Sequence, residues 1–129
     1  MRYLILGVTE ARDEHGGPLP VGGARLRTLL AALALRAGRP ASVAGLIDDV
    51  WDDAPPQDAS AALQALVGRL RRVLGREAVA GTPGGYRLTA GPDDIELYVF
   101  ERLARQGAAE LDAGTPEDAA RTLRAALAL

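Results

Sequence analysis

Apolar residues recur along this chain at two spacings, every second position and every third or fourth, and the switches between them divide it into elements. Tyr3, Ile5 and Val8 in YLILGV predict a first strand. Residues 10–14, EARDE, read as a charged run. Residues 13–18, DEHGGP, are turn chemistry, and Leu19 to Val21 a short return strand, together an N-terminal antiparallel sheet. Helical spacing then takes over. Leu26, Leu29, Leu30 and Leu33 predict a first helix from Ala24 to Ala37, with Gly38 as its stop. Ser42 is placed to cap a second helix on Val43, Leu46, Ile47 and Val50. Trp51 ends that helix, before a loop, DDAPP, too rich in proline to stay helical.

The third helix, ASAALQALVGRLRRVLG over residues 59–75, follows an Asp58 cap. At about 100° per residue it sets Leu63, Leu66 or Val67, Leu70 and Leu74 on one stripe, with Gln64, Arg69, Arg71 and Arg72 largely off it. After Gly75 the period becomes two. Ala78 to Ala80, the glycine-rich GTPGG and Tyr86 to Thr89 predict a hairpin with Tyr86 and Leu88 inward and Arg87 and Thr89 outward. Residues 91–94, GPDD, form a linker. Leu97 to Asp112 predicts a helix with Phe100, Leu103, Ala104, Gly107 and Leu111 inward. Thr115 as cap and Pro116 at the first position start another, lined by Ala119, Ala120, Leu123, Ala126 and Leu127.

The fold class is therefore α+β. Residues 1–92 are expected to form a winged helix-turn-helix: an antiparallel sheet, three helices and a hairpin wing. Residues 93–129 are expected to form a helical hairpin like one TPR-type repeat unit. One such unit cannot bury both faces, and the pattern is unfinished at Leu129. Either further chain continues it, or the hairpin packs on the winged helix or on a second copy.

Composition narrows the chemistry. The 129 residues are 48% hydrophobic but only 4% aromatic, so Leu, Val and Ala must build the core. The absence of cysteine removes disulfides, thiolate metal sites and a cysteine nucleophile, and suits a reducing cytoplasm. The apolar opening is too short for a signal h-region or a membrane span. His15, the single histidine, sits in a turn without the partners a metal would need. No nucleophile and base pair up in the sequence, and GTPGGY opens no helix and lacks a P-loop lysine, so neither an enzyme nor a cofactor is expected.

The net charge of −2 does not by itself suggest a polyanionic partner, but the distribution does. Between residues 59 and 89 there are five arginines and one acid, Glu77. From Asp93 onward acids outnumber arginines. Two basic features, the third helix and the hairpin, come from adjacent segments and can face one duplex. The helix would enter the major groove, with guanidinium groups reaching guanine edges and phosphates.

The segments LRTLLAALALRAGRPASVAGLIDDVW, PPQDASAALQALVGRLRRVLG, GTPGGYRLTA and IELYVFERLA resemble the SARP-type transcriptional activators over essentially the whole chain. In those proteins an OmpR-like winged helix precedes a helical bacterial transcriptional activator domain. The resemblance implies double-stranded DNA and RNA polymerase as partners, binding at direct repeats near promoters, and tandem or dimeric association on DNA, away from any membrane. By position it implies Gln64 and Arg69 on the base-reading face and Arg71 and Arg72 at the backbone-contacting end. Thr82 and Arg87 match the wing. Trp51 matches an indole that can touch a phosphate, although a core anchor is an equal alternative. Asp52 and Asp53 match a loop that contacts polymerase, with a solvated turn as the alternative. The chain departs from the family at Leu66, where a polar or aromatic residue is usual, at Gly68, where Ser or Arg is common, and at Glu96, where an Asp cap is usual. An alternative from another class is a protein-interaction module whose winged helix has lost DNA readout. Leu66 and Gly68 on the nominal DNA face and the acidic net charge favour it.

Overall fold

The computed structural model describes residues 1–5 and 9–128, with only the backbone at Pro92. Val8, expected in the first strand, lies outside the described residues. Strands β1 (Arg2–Leu4), β2 (Glu10–Arg12) and β3 (Pro18–Leu19) form an antiparallel sheet in that order. The charged run is thus partly a strand. Period two turns Ala11 inward, fully buried opposite Tyr3 and Leu19, and leaves Glu10 and Arg12 to pair with each other outside at 2.9 Å. The return strand starts earlier than expected, at Pro18. The reason is the turn before it, where the Asp13 carboxylate accepts from the backbone N–H groups of His15 and Gly17.

Helix α1 (Ala24–Ala34) buries Leu26, Leu29, Leu30 and Leu33 as expected, but it stops three residues before Ala37. There the backbone tightens into three-residue bonds (Arg36 to Leu33, Ala37 to Ala34), and Ala37 and Gly38 turn left-handed. That bend delivers a two-residue strand absent from the sequence reading, β4 (Ala41–Ser42). Ser42 then accepts from the Gly45 N–H at 3.0 Å and starts α2 (Val43–Trp51). Asp58 does the same for α3 (Ala59–Leu74), accepting from Ala61 at 3.2 Å. Both Leu66 and Val67 are buried with Leu63, Leu70 and Leu74, so the stripe of α3 is wider than a single seam.

The wing is not a free hairpin. Strands β5 (Val79–Thr82) and β6 (Gly85–Leu88) meet at a two-residue tip, and β4 pairs with β6 to make a three-stranded sheet in the order β4-β6-β5. Gly85 makes this possible: a Cβ there would stand 1.8 Å from the Ala41 carbonyl oxygen, so no side chain fits beneath β4.

A 3-10 turn (Pro92–Asp94) leads to α4 (Glu96–Asp112) and α5 (Pro116–Leu127). Ile95 bridges in parallel to Tyr3 and is fully buried in the main core, with Leu97 and Tyr98 packed against it. The Tyr98 hydroxyl donates to the Leu35 carbonyl. The first turn of α4 is therefore seated on the winged helix. In the rest of the helical hairpin Gly107, Ala119 and Ala126 are buried as expected, but the leucines differ. Leu111 and Leu127 are exposed rather than inward, while Leu123, though partly exposed, packs on Gly107 as α4 and α5 approach through small residues. Gly107, Ala119, Thr122 and Ala126 are the buried positions. A Cβ on Gly107 would come within 2.7 Å of Leu123. Thr115 does not cap α5; its hydroxyl turns back to the Glu110 carbonyl at 2.7 Å. Among the described residues no helix is long and apolar enough to cross a membrane.

Burial pushes the Tyr3 phenol up from 10.0 to about 12, and the Asp94 carboxylate adds to the effect. The fold thus holds the neutral phenol. The associated stability is whole below pH 10 and is lost as pH rises towards about 12, on the order of 2–3 kcal/mol. Urea denaturation across that range is expected to show the decline in the native chain and a flattened one in Tyr3→Phe.

Candidate nucleic-acid interface

Five apolar residues commit one side of α3 to the core, so helical geometry fixes what the other side displays. Ala61, Ala65 and Arg72 stand opposite the stripe, with Gly68 in open space between them. Arg69 flanks this ridge on the α1 side. Its guanidinium lies over Gly23, beside a cleft also lined by Arg25, Trp51, Pro56 and Ala65. Gln64 is exposed on the opposite flank, and Arg71 falls on that flank further along.

Arg69 and Arg72 are exposed, as is Arg76 just beyond the helix. Among the described residues no arginine of α3 or the hairpin forms an ion pair. The pairs that do form lie elsewhere, such as Arg36 with Asp49 and Arg102 with Asp93. These guanidinium groups keep their full charge for an external anion. α1 adds to the positive field. Its N-cap is Gly23, which makes no side-chain cap bond, and its first turn has no acid to offset the positive end; Gly23, Ala24 and Arg25 line the same cleft. Arg25 and Arg76 were not among the residues assigned from sequence. Arg76 was legible in the local charge excess, whereas nothing near Arg25 in sequence tied it to the third helix.

The other assigned residues fall into distinct places. Trp51 is half-buried, packed against the core with one edge on the cleft, and its indole has no hydrogen-bond partner among the described residues. Arg71 is not free like its neighbour. Its Nε donates to the Val79 carbonyl at 3.0 Å, and its guanidinium stands 5.9 Å from the centre of the Tyr86 ring. Arg87 lies half-buried on the sheet face away from Tyr86 and Leu88, opposite Ala80. The Thr82 hydroxyl is buried and unpaired, so it offers nothing to a ligand in this conformation. Asp52 and Asp53 are exposed on the turn after α2, with Asp52 left-handed at φ 53°. Leu66 is only 7% exposed, which corrects its assignment to the nominal DNA face. It belongs to the core, one turn from Leu70.

The family described as "Transcriptional regulatory protein, C terminal" matches residues 22–88, the segment holding α1 to β6. The chain is 39% identical over 118 residues to the transcriptional regulator RedD of Streptomyces coelicolor, covering 84% of this chain and 33% of RedD. It is likewise 39% identical over 121 residues to the transcriptional regulatory protein EmbR of Mycobacterium tuberculosis, covering 87% of this chain and 30% of EmbR. Regulatory protein DnrI of Streptomyces peucetius is 32% identical over 140 residues, covering all of this chain and 51% of DnrI. The chain thus spans about a third of the length of the first two. A solved structure of Mycobacterium tuberculosis EmbR in complex with a low affinity phosphopeptide superposes with a TM-score of 0.89 at 32% identity, over 98% of this chain and 35% of that one.

Gly68 interrupts the exposed ridge, yet a Cβ there would meet nothing within 4 Å. Gly68→Ala is therefore expected to raise stability by about 0.5–1 kcal/mol, read from chemical denaturation, by restricting the unfolded chain.

Proposed function

The chain belongs to the SARP-type transcriptional regulators with an OmpR-like winged helix, and from that premise we propose that it binds double-stranded DNA sequence-specifically as a transcriptional activator. The observation that carries this is the outer side of α3, where exposed arginines without ion-pair partners stand on a rigid helix beside the hairpin. In the major groove, Arg69 would read a guanine edge and Gln64 an adenine edge, each in bidentate fashion. Arg72, Arg76 and the start of α1 would hold phosphates, which supply most of the affinity and its salt dependence. Arg87 on the hairpin would reach the neighbouring minor groove or its phosphates, and the Trp51 edge a phosphate at the cleft. Binding in tandem at direct repeats near promoters would place Asp52 and Asp53 towards RNA polymerase.

Selection of duplexes from a random pool, followed by titration against selected and scrambled sites, tests the reading. Arg69→Ala is expected to cost about 1–3 kcal/mol and to relax discrimination at one base pair. Arg72→Ala is expected to weaken all sequences alike and to reduce the salt slope by about one. Equal affinity of the native chain for selected and scrambled duplexes would overturn sequence-specific binding. For the polymerase contact, Asp52→Asn with Asp53→Asn should leave DNA affinity unchanged and lower transcript yield in a purified polymerase assay. An unchanged yield removes that assignment.

A further inference from the structure

The side chain of Arg71 runs from the last turn of α3 to the hairpin and reaches both of its strands. Its Nε donates to the carbonyl of Val79, the first residue of β5, and its guanidinium lies against the Tyr86 ring on β6. The accepting carbonyl is on the free edge of the sheet. The strand order leaves β5 at the edge, and the Thr89 N–H donates to Ala78, so by antiparallel alternation the polar groups of residue 79 face away from β6. In this part-buried place the edge carbonyl has Arg71 as its donor. The base of the hairpin is tied independently, by the Thr89 hydroxyl donating to Glu77 at 2.8 Å. Arg71 grips the same hairpin two residues further towards its tip, while Arg72 and Arg76 stay outside.

We infer that Arg71 is a positioning residue that locks the hairpin to the end of α3, so that Arg87 is presented at a fixed distance from the recognition helix. This differs from the phosphate-contacting role expected for it by position. A planar guanidinium can give its Nε–H to the carbonyl while its flat terminal group faces the ring, whereas a lysine ammonium has a single nitrogen to serve both. The consequence for DNA rests on the function proposed above; the grip itself does not.

Two measurements on the full chain test the inference through Arg71→Lys, Arg71→Ala, Arg87→Ala and the double variants. The first is amide hydrogen exchange without DNA. Protection over residues 79–88 is expected to fall by about tenfold in both Arg71 variants, with that of α1 unchanged. Unaltered protection overturns the inference whether or not the chain binds DNA, and if the native chain enriches no duplex this measurement alone decides. The second is titration of duplexes enriched by the native chain. Arg71→Lys is expected to lose about tenfold in affinity with the salt slope unchanged, and Arg87→Ala to cost less in that background than in the native one. A native-like Arg71→Lys, with an Arg71→Ala slope reduced by about one and an undiminished Arg87→Ala penalty, would make Arg71 a phosphate ligand and overturn the inference.

Discussion

The inner side of α3 is the constraint on which the rest of the molecule depends. Leu63, Leu66, Val67, Leu70 and Leu74 are each at most 7% exposed and pack against α1, α2 and the second sheet. Close packing of these side chains against the buried leucines of α1 and α2 fixes both the position of the helix and its rotation about its axis. That rotation decides which arginines meet solvent. A register shift of one residue would turn the stripe by about 100° and carry Arg69 or Arg71 towards the leucines, where an unpaired charge is expensive. Core packing and outward display are two sides of one geometric condition.

The same condition extends into the hairpin. β4, β6 and β5 form a sheet only because the chain turns sharply after α1 and because Gly85 admits the Ala41 carbonyl. α1 joins that sheet to α3, so the hairpin belongs to the domain's frame and is no loose appendage. The acids have separate places. Asp49 and Asp93 pair with arginines elsewhere, Asp13 closes a turn, and Asp52 and Asp53 face solvent. A net charge of −2 therefore coexists with a helix face free of carboxylate partners, and the sum is a poor guide to the local field.

Much of this was legible in the order of residues. The three helices announce themselves by period and cap, and Ser42 and Asp58 bind the N–H groups expected of them. What escaped depends on contacts distant in sequence. β4 has two residues and no pattern of its own; it exists because β6 lies beside it. Glu10 to Arg12 reads as a charged run until Tyr3 and Leu19 flank Ala11. Leu111 and Leu127 fit a helical stripe, but the closeness that Gly107 and the alanines permit leaves them outside, with Leu123 alone of the three laid over Gly107. Within the site, exposure of Gln64, Arg69 and Arg72 follows from periodicity. The engagement of Arg71 with Val79 and the inward turn of Thr82 do not, because both depend on where the hairpin comes to rest.

The bridge between Tyr3 and Ile95 joins residues that lie almost the whole winged helix apart in sequence. During synthesis the first strand leaves the ribosome long before Ile95 is made, and closing so long a loop costs chain entropy before the contact returns anything. The three helices can assemble on a nascent chain while the N-terminal segment still lacks that neighbour. The main core closes over Tyr3 only when Ile95 and the first turn of the fourth helix are present, so that segment is the one the winged helix must wait for.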